Sequence, residues 1–183
     1  DTGQIDHPDL DEAYTAGWGV DMVSDDYYAG DGDGRDSNPT DTGDWCGSDA
    51  SSWHGTHVAG IIGAVRNNDI GIDGIASDVK IMCLRAVPDG DERDKDVANA
   101  IRYAADNGAR VINMSFGKSY SPNKAAVDAA VKYAESKGVL IIHAAGNDNS
   151  NNDETPDYPN AKLSDGSVAS NWIEVGATNP SGT

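Results

Sequence analysis

The chain has 183 residues and a formal net charge of −18, from 13 basic and 31 acidic side chains. A chain of this length can bury one sizeable core, and its negative charge repels nucleic-acid phosphates and anionic membranes. No apolar run approaches the length of a membrane span. We therefore expect one domain or part of one, with neither nucleic acid nor membrane as a partner. Of the 31 acidic residues, 26 are Asp, which is typical of turns and oxygen-rich cation sites.

The segment 21–49 is rich in Asp, Gly, Ser and Asn, which predicts a long polar surface loop. Within it, residues 31–36 read DGDGRD and place carboxylates at alternate positions, as at the start of a calcium loop. The glutamate that closes such a loop is absent, so a cation site and a solvated loop both remain open. Cys46 and Cys83 are the two cysteines of the chain, and a disulfide between them cannot be deduced from the sequence.

Residues 54–60 read HGTHVAG and predict a helix of small residues that begins with His54 and carries His57 one turn later. The pair could bind a metal, provide a catalytic base with a structural neighbour, or simply pack in the core. The zinc motif HExxH has a glutamate between its histidines, whereas Gly55 and Thr56 stand here.

From residue 79 onward, apolar runs alternate with helical patterns. Strands are predicted in 79–87, 110–117, 139–147 and 171–178, and helices in 94–108 and 121–138. The second helix is predicted to begin with Ser121 as N-cap and to end at Gly138. The alternation predicts an α/β fold with three α/β/α layers and a mostly parallel sheet. Ligands of such sheets gather at the carboxyl ends of the strands, here 115–117 and 144–147.

Six short motifs occur in the order found in the subtilisin-like serine peptidases. They are DTG followed by HPDL, then HGTHVAG, INMSFG, AAGN, YPNA and EVGAT. Each motif alone is weak evidence, but together they span almost the whole chain. The chain resembles this family, and the resemblance implies a subtilisin-like fold with a serine endopeptidase activity that uses an Asp-His-Ser triad.

The resemblance implies roles for particular residues. Asp1 matches the triad carboxylate, His54 the general base and Asn147 the side-chain donor of the oxyanion hole. His57 is then expected to be a structural histidine beneath the site. Substrate-binding positions are expected at Ser115, Phe116, Gly117, Ala145, Gly146 and Asp157.

Asp157 is expected near the floor of the first specificity pocket, where its carboxylate would favour Arg or Lys before the cleaved bond. The alternative is a solvated loop Asp in an Asp-rich chain. The resemblance also implies a structural calcium site formed by Asp9, the side chain of Asn67 and the carbonyls of Val65, Ile70 and Ile72, with Asn68 as a substitute for Asn67. No organic cofactor is expected.

The nucleophilic serine of the family lies in a Gly-Thr-Ser segment that opens a later helix, and these 183 residues contain no such segment. We therefore expect 1–183 to be a partial peptidase domain, incomplete at both ends, that lacks the first strand region and the C-terminal segment with the serine. Such a fragment alone should be inactive. The full protein is expected to be secreted, to carry an N-terminal propeptide and to act on proteins or peptides. The alternative is a non-catalytic relative that binds peptide or calcium.

Overall fold

A computed structural model describes residues 1–43, 51–76 and 78–182, which form two compact units, Asp1–Asp96 and Val97–Thr183. The strands are β1 (Val20–Asp21), β2 (Leu84–Arg85), β3 (Val111–Met114), β4 (Leu140–Ala144) and β5 (Trp172–Val175). The helices are α1 (Asp26–Ala29), α2 (His54–Gly63), α3 (Asp94–Asp106) and α4 (Lys124–Ser136). In the described part of the chain every pairing between these strands is parallel, which confirms the predicted α/β class.

The first unit contains β1 and β2, which pair with Val20 opposite Leu84. Of the predicted strand 79–87, only Leu84–Arg85 forms a strand, and Ile81 adds a single parallel bridge to Tyr14. A small core forms where Leu10, Ala13 and Ala59 meet. Because Ala59 lies on α2, this core holds the helix against the segment that follows the N-terminal loop.

The predicted loop 21–49 is partly wrong, because its first residues enter the core. Asp21 is fully buried on β1, and Met22 and Val23 are buried after it. The guanidinium of buried Arg85 on β2 donates to Asp21 and, at 3.1 Å, to Asp31. Asp31 of the DGDGRD segment is thus a partner of buried Arg85, whose charge needs pairing, whereas Asp31 itself is exposed. Residues 44–50 of the segment lie outside the described residues, and Cys46 is among them, so the question of a disulfide to Cys83 falls there too.

The second unit is built on a three-stranded parallel sheet in the order β3-β4-β5. Apolar side chains of α3, α4 and the sheet form its core. These are Val97, Ala98, Ile101, Ala105, Met114, Val127, Ala130, Val131, Ala134, Val139, Ile141, Leu163 and Ala169. The helical spacing of Val97 and Ile101, and of Val127, Val131 and Ala134, places each set on one face, as the sequence predicts.

The start of α4 differs from the prediction, whereas its end agrees. Asn123 is the residue before the first turn, and the carbonyl of Ser121 accepts the N–H of Lys124, so Ser121 belongs to a turn ahead of the helix. At the other end Gly138 adopts φ 73°, and Val139 N–H donates to Ala134 O at 3.0 Å. This is the hydrogen bonding of a Schellman cap, which glycine favours because it tolerates positive φ.

Among the described residues, none of the helices is both long and apolar enough to cross a bilayer.

Candidate active site

Asp1 and His54 form a hydrogen-bonded pair in the first unit. Asp1 Oδ1 lies 2.8 Å from His54 Nδ1, and the same oxygen accepts the N–H of Thr2 at 2.8 Å. The Asp1 side chain is 16% exposed, whereas that of His54 is 44% exposed. A largely buried carboxylate therefore orients an imidazole whose other face is open to solvent. This is the arrangement of a general base with its orienting acid.

Thr2 connects the Asp1 loop to the first turn of α2. Its hydroxyl donates to Asp41 Oδ2 at 2.6 Å and accepts the Gly55 N–H at 2.9 Å. The Gly55 N–H has no partner within its own helix, because it lies in the first turn. Gly55 itself packs so closely on Gly3 that an added Cβ would collide with the Gly3 carbonyl. The sequence motifs did not identify Thr2 and Asp41, although the threonine lies within DTG.

His57 is exposed on α2, so the expectation of a buried structural histidine beneath the site is wrong. One helical turn separates His57 from His54, and His54 Nδ1 is already engaged by Asp1. The geometry therefore favours a carboxylate–histidine pair over a pair of metal-binding histidines.

Three predicted site residues follow β4 in the second unit. Ala145 continues the pairing with β5, since its N–H donates to Val175 O at 2.9 Å. Gly146 has φ 87°, a left-handed conformation that favours glycine, and Asn147 follows it as an exposed side chain. Asn147 thus lies at the carboxyl end of a parallel strand with its amide accessible, as a hydrogen-bond donor to a ligand requires.

The segment Ser115–Phe116–Gly117 follows the end of β3 at Met114. Phe116 packs on the apolar core of the second unit, and Ser115 Oγ accepts from Asn113 Nδ2 at 2.9 Å. The next residue, Lys118, exchanges two backbone hydrogen bonds with Tyr158, which anchors the end of the segment.

Asp157 is brought to the ends of both strands. A Cβ at Gly117 would collide with its carboxylate, and one at Gly146 would lie 3.4 Å from Asp157 Oδ2. The carboxylate is half-buried, and burial raises its pKa even though the Tyr158 N–H and His143 lower it. This placement differs from that of a solvated loop residue. Because Gly117 has no side chain, the carboxylate packs directly against its backbone.

Asp9, the carboxylate expected to hold calcium, is buried. Asp9 Oδ2 accepts the Ile72 N–H at 2.9 Å, and Asp9 Oδ1 accepts from Asn68 Nδ2 at 2.9 Å. These two hydrogen bonds lower the pKa of Asp9. Asn67, by contrast, is exposed and has φ 60°. Asn68 Oδ1 in turn accepts the Ile70 N–H at 3.0 Å, so the side-chain oxygens of Asp9 and Asn68 accept N–H groups in this structure.

Known proteases resemble this chain over most of its length. The profile of the subtilase family matches residues 1–183. An extracellular protease of Xanthomonas campestris pv. campestris is 41% identical over 82% of this chain and 29% of its own length. Thermitase of Thermoactinomyces vulgaris is 37% identical over 87% of this chain and 48% of its own length.

A solved protease structure from Pseudoalteromonas arctica superposes with a TM-score of 0.74 at 39% identity, covering 82% of this chain and 49% of that one. The chain belongs to the subtilase family. It spans less than half of the length of the relatives named here.

Proposed function

We propose that the protein containing this chain is a serine endopeptidase, in which Asp1 and His54 serve as the acid and the base of an Asp-His-Ser triad. The observation that carries the proposal is the 2.8 Å contact between Asp1 Oδ1 and His54 Nδ1. That contact fixes the tautomer that leaves Nε2 free to accept a proton from a serine hydroxyl. His54 then donates the proton to the leaving amine.

Asn147 is proposed to stabilise the oxyanion of the tetrahedral intermediate. Its exposed side chain follows Gly146 at the end of β4, and an amide N–H is a suitable donor to a developing negative charge. The serine nucleophile is proposed to come from sequence beyond these 183 residues, because no Gly-Thr-Ser segment occurs within them.

The segment Ser115–Phe116–Gly117 and residues Ala145 and Gly146 are proposed to bind the substrate backbone. Extended peptides bind exposed strand edges through backbone hydrogen bonds, and side-chain pockets add selectivity. Asp157, next to Gly117 and Gly146, is proposed to select Arg or Lys before the cleaved bond. Its half-buried carboxylate supports this, since a partly desolvated acid gains most from pairing with a cation.

Asp9, Asn68 and the carbonyls of Val65, Ile70 and Ile72 are proposed to hold a structural calcium ion. Relatives described as extracellular proteases support the proposal that the protein is secreted. Calcium is abundant outside the cell. An N-terminal propeptide in the precursor remains part of the proposal.

Hydrolysis of an unfolded protein by the full-length enzyme tests the proposal, with and without a serine-directed organophosphate. We expect the reagent and the His54→Ala substitution each to abolish hydrolysis. Hydrolysis that resists the reagent but is lost on removal of metal would instead indicate a metal-dependent hydrolase. Peptide binding without hydrolysis would indicate the non-catalytic relative.

A further inference from the structure

Arg85 on β2 is buried, with an exposed fraction of 2%, and its guanidinium contacts several segments of the first unit. Nη1 donates to Asp21 Oδ2 and, at 3.1 Å, to Asp31 Oδ2. Nη2 donates to the carbonyl of Ala29 and, at 3.1 Å, to Thr42 Oγ1. Thr42 Oγ1 also donates to the Ala29 carbonyl at 3.0 Å. One side chain therefore joins β1, the end of α1 with the loop after it, and the chain at Thr42.

A buried arginine is a weak means of stabilising a fold by itself. The cost of taking its charge out of water opposes the attraction to its partners, and an apolar pair of similar volume often gives equal stability. In addition, Arg85 Nε is buried and has no hydrogen-bond partner among the described residues. The planar fork of a guanidinium does, however, hold several acceptors in fixed positions relative to one another. Arg85 is therefore better suited to fixing the positions of its acceptors than to stabilising the fold.

The strand that carries Arg85 also holds the backbone of Asp1. The Asp1 nitrogen donates to Leu84 O at 3.1 Å, and Asp1 O accepts the Ala86 N–H at 2.9 Å. Leu84 and Ala86 flank Arg85, so Asp1 lies beside β2 at the level of Arg85. Asp21 of β1 pairs with Arg85 in the same register.

The guanidinium reaches the carboxylate–histidine pair by a second route, through Thr42. Thr42 follows Asp41, whose buried carboxylate accepts the Thr2 hydroxyl at 2.6 Å. The Thr2 hydroxyl in turn accepts the N–H of Gly55, in the first turn of the helix that begins with His54. Contacts therefore run without a break from the guanidinium to the helix of the histidine.

We infer that Arg85 is a positioning residue for the carboxylate–histidine pair of Asp1 and His54. Its strand holds the backbone of Asp1, and its guanidinium holds the chain at Asp41, which orients the Thr2 hydroxyl on the helix of His54. The inference deepens the proposed function and rests on it, because it takes Asp1 and His54 as the acid and the base. Among the described residues, the hydrogen bonds of the guanidinium reach neither member of the pair, so Arg85 is not itself a catalytic residue.

The first test is Thr42→Val in the full-length enzyme, which removes the contact between the guanidinium and the chain at Asp41. Thr42 is exposed, and the buried pair of Arg85 and Asp21 stays intact, so the variant should fold. We expect kcat for a peptide substrate to fall by about threefold to tenfold with little change in KM, because a misplaced base affects the transition state more than ground-state binding. Thr42→Ser keeps the hydroxyl and should restore most of the lost kcat.

The second test removes the arginine without leaving a buried charge. Arg85→Met is combined with Asp21→Asn, because removal of one partner of a buried pair alone is strongly destabilising. The asparagine keeps an oxygen for the Val23 N–H, which Asp21 Oδ1 accepts at 2.6 Å. We expect the combined variant to lower kcat at least as much as Thr42→Val does, whereas Asp21→Asn alone, which retains Arg85, should lower it less. Thr42→Val added to the combined variant should cause no further loss, since the contact is already gone.

A readout that does not need turnover follows the hydrogen bond of the pair itself. The proton between His54 Nδ1 and Asp1 Oδ1 is observed by ¹H NMR in enzyme labelled with ¹⁵N-histidine. Its resonance should move upfield in Thr42→Val and in the combined variant, because a longer hydrogen bond deshields the proton less. A loss of thermal stability alone would leave the resonance in place.

The outcomes separate the inference from the proposed function. A lower kcat in Thr42→Val, recovery in Thr42→Ser and no further loss in the combined background support the role of Arg85. Parent kcat in Thr42→Val, or an equal loss from Thr42→Val with and without Arg85, overturns the inference. The proposed function stands in either case if His54→Ala still abolishes hydrolysis. Hydrolysis that survives His54→Ala overturns both.

Discussion

The hydroxyl of Thr2 accepts the backbone N–H of Gly55 at 2.9 Å and so joins the loop of Asp1 to the helix of His54. The same hydroxyl donates to buried Asp41. One side chain thereby fixes the relative position of the two residues of the carboxylate–histidine pair. The Thr2 hydroxyl contacts neither Asp1 Oδ1 nor the His54 ring in these hydrogen bonds, and the Thr2 N–H that donates to Asp1 Oδ1 is kept when the side chain is changed. The effect of the side chain on activity should therefore be one of positioning.

Thr2→Val removes both hydrogen bonds at nearly constant volume. We expect it to lower the free energy of unfolding by about 1 to 3 kcal/mol, because it leaves a buried donor and a buried acceptor unsatisfied. It should also lower kcat more than it changes KM. Thr2→Ser keeps the hydroxyl and is the matched control. Thermal unfolding and steady-state kinetics of the full-length enzyme measure both effects, and equal behaviour of the Val and Ser variants would contradict the prediction.

Asn147→Leu replaces the exposed amide at the end of β4 with an apolar side chain of similar size. Loss of the oxyanion-hole asparagine of subtilisin lowers kcat by about 10²- to 10³-fold, and we adopt that range for the role proposed for Asn147. KM should change little, since the oxyanion exists only in the transition state and intermediate. Steady-state kinetics with a peptide ester and a peptide amide provide the measurement. A rise in KM at constant kcat would assign Asn147 to ground-state binding instead.

Gly117→Ala places a methyl group where the Asp157 carboxylate lies. Displacement of the carboxylate should lower kcat/KM for an Arg peptide by about tenfold or more, because a desolvated charge pair is worth about 2 kcal/mol or more. A Leu peptide should be affected less. Gly176→Ala is the control, since an added methyl group there meets open space. Equal losses for the Arg and Leu peptides would show that Gly117 contributes only backbone space.

Chelation of calcium should lower the melting temperature of the full-length enzyme by about 5 to 10 °C, if the ion is present at roughly a hundred times its Kd. Asn68→Ala should reduce this response, because Asn68 contacts Asp9. Asn67→Gly should leave it unchanged, since Asn67 is exposed and glycine tolerates its φ of 60°. Differential scanning calorimetry with and without chelator distinguishes the two asparagines. A larger loss of the response in Asn67→Gly would restore the first assignment.

Local patterns in the sequence were sufficient to predict the existence and order of the helices and strands in the second unit, although not all of their bounds. Burial can be predicted directly from the apolar run Leu140–Ala144 and from the helical spacing in Lys124–Ser136. Gly138 predicts a helix end, because glycine tolerates the positive φ that the structure shows there. The start of α4 was missed because the serine and proline ahead of it form a turn with the same residue preferences as a cap. Short strands such as Val20–Asp21 carry too few residues for a periodic signal.

The site was predictable only in part, because many of its contacts join residues that are far apart in the sequence. Asp1 and His54 were found through motifs whose order resembles a known family. The burial of Asp21 depends on Arg85, 64 positions later, and the exposure of His57 depends on what packs around α2. Likewise, His143 looks like an ordinary strand residue until the register brings Glu174 opposite it. Contacts between residues so far apart in the sequence are set by the fold and leave no local pattern in the chain.

The coupling of Asp1 and His54 in catalysis tests the account most directly. The measurement is kcat/KM for Asp1→Asn, His54→Ala and the double variant of the full-length enzyme, with exposed Asp11→Asn as the control for a changed charge. If Asp1 acts through His54, Asp1→Asn alone should lower activity by about 10⁴-fold, and the double variant should be no less active than His54→Ala. Independent, multiplicative losses in the double variant, or full activity of either single variant, would contradict it.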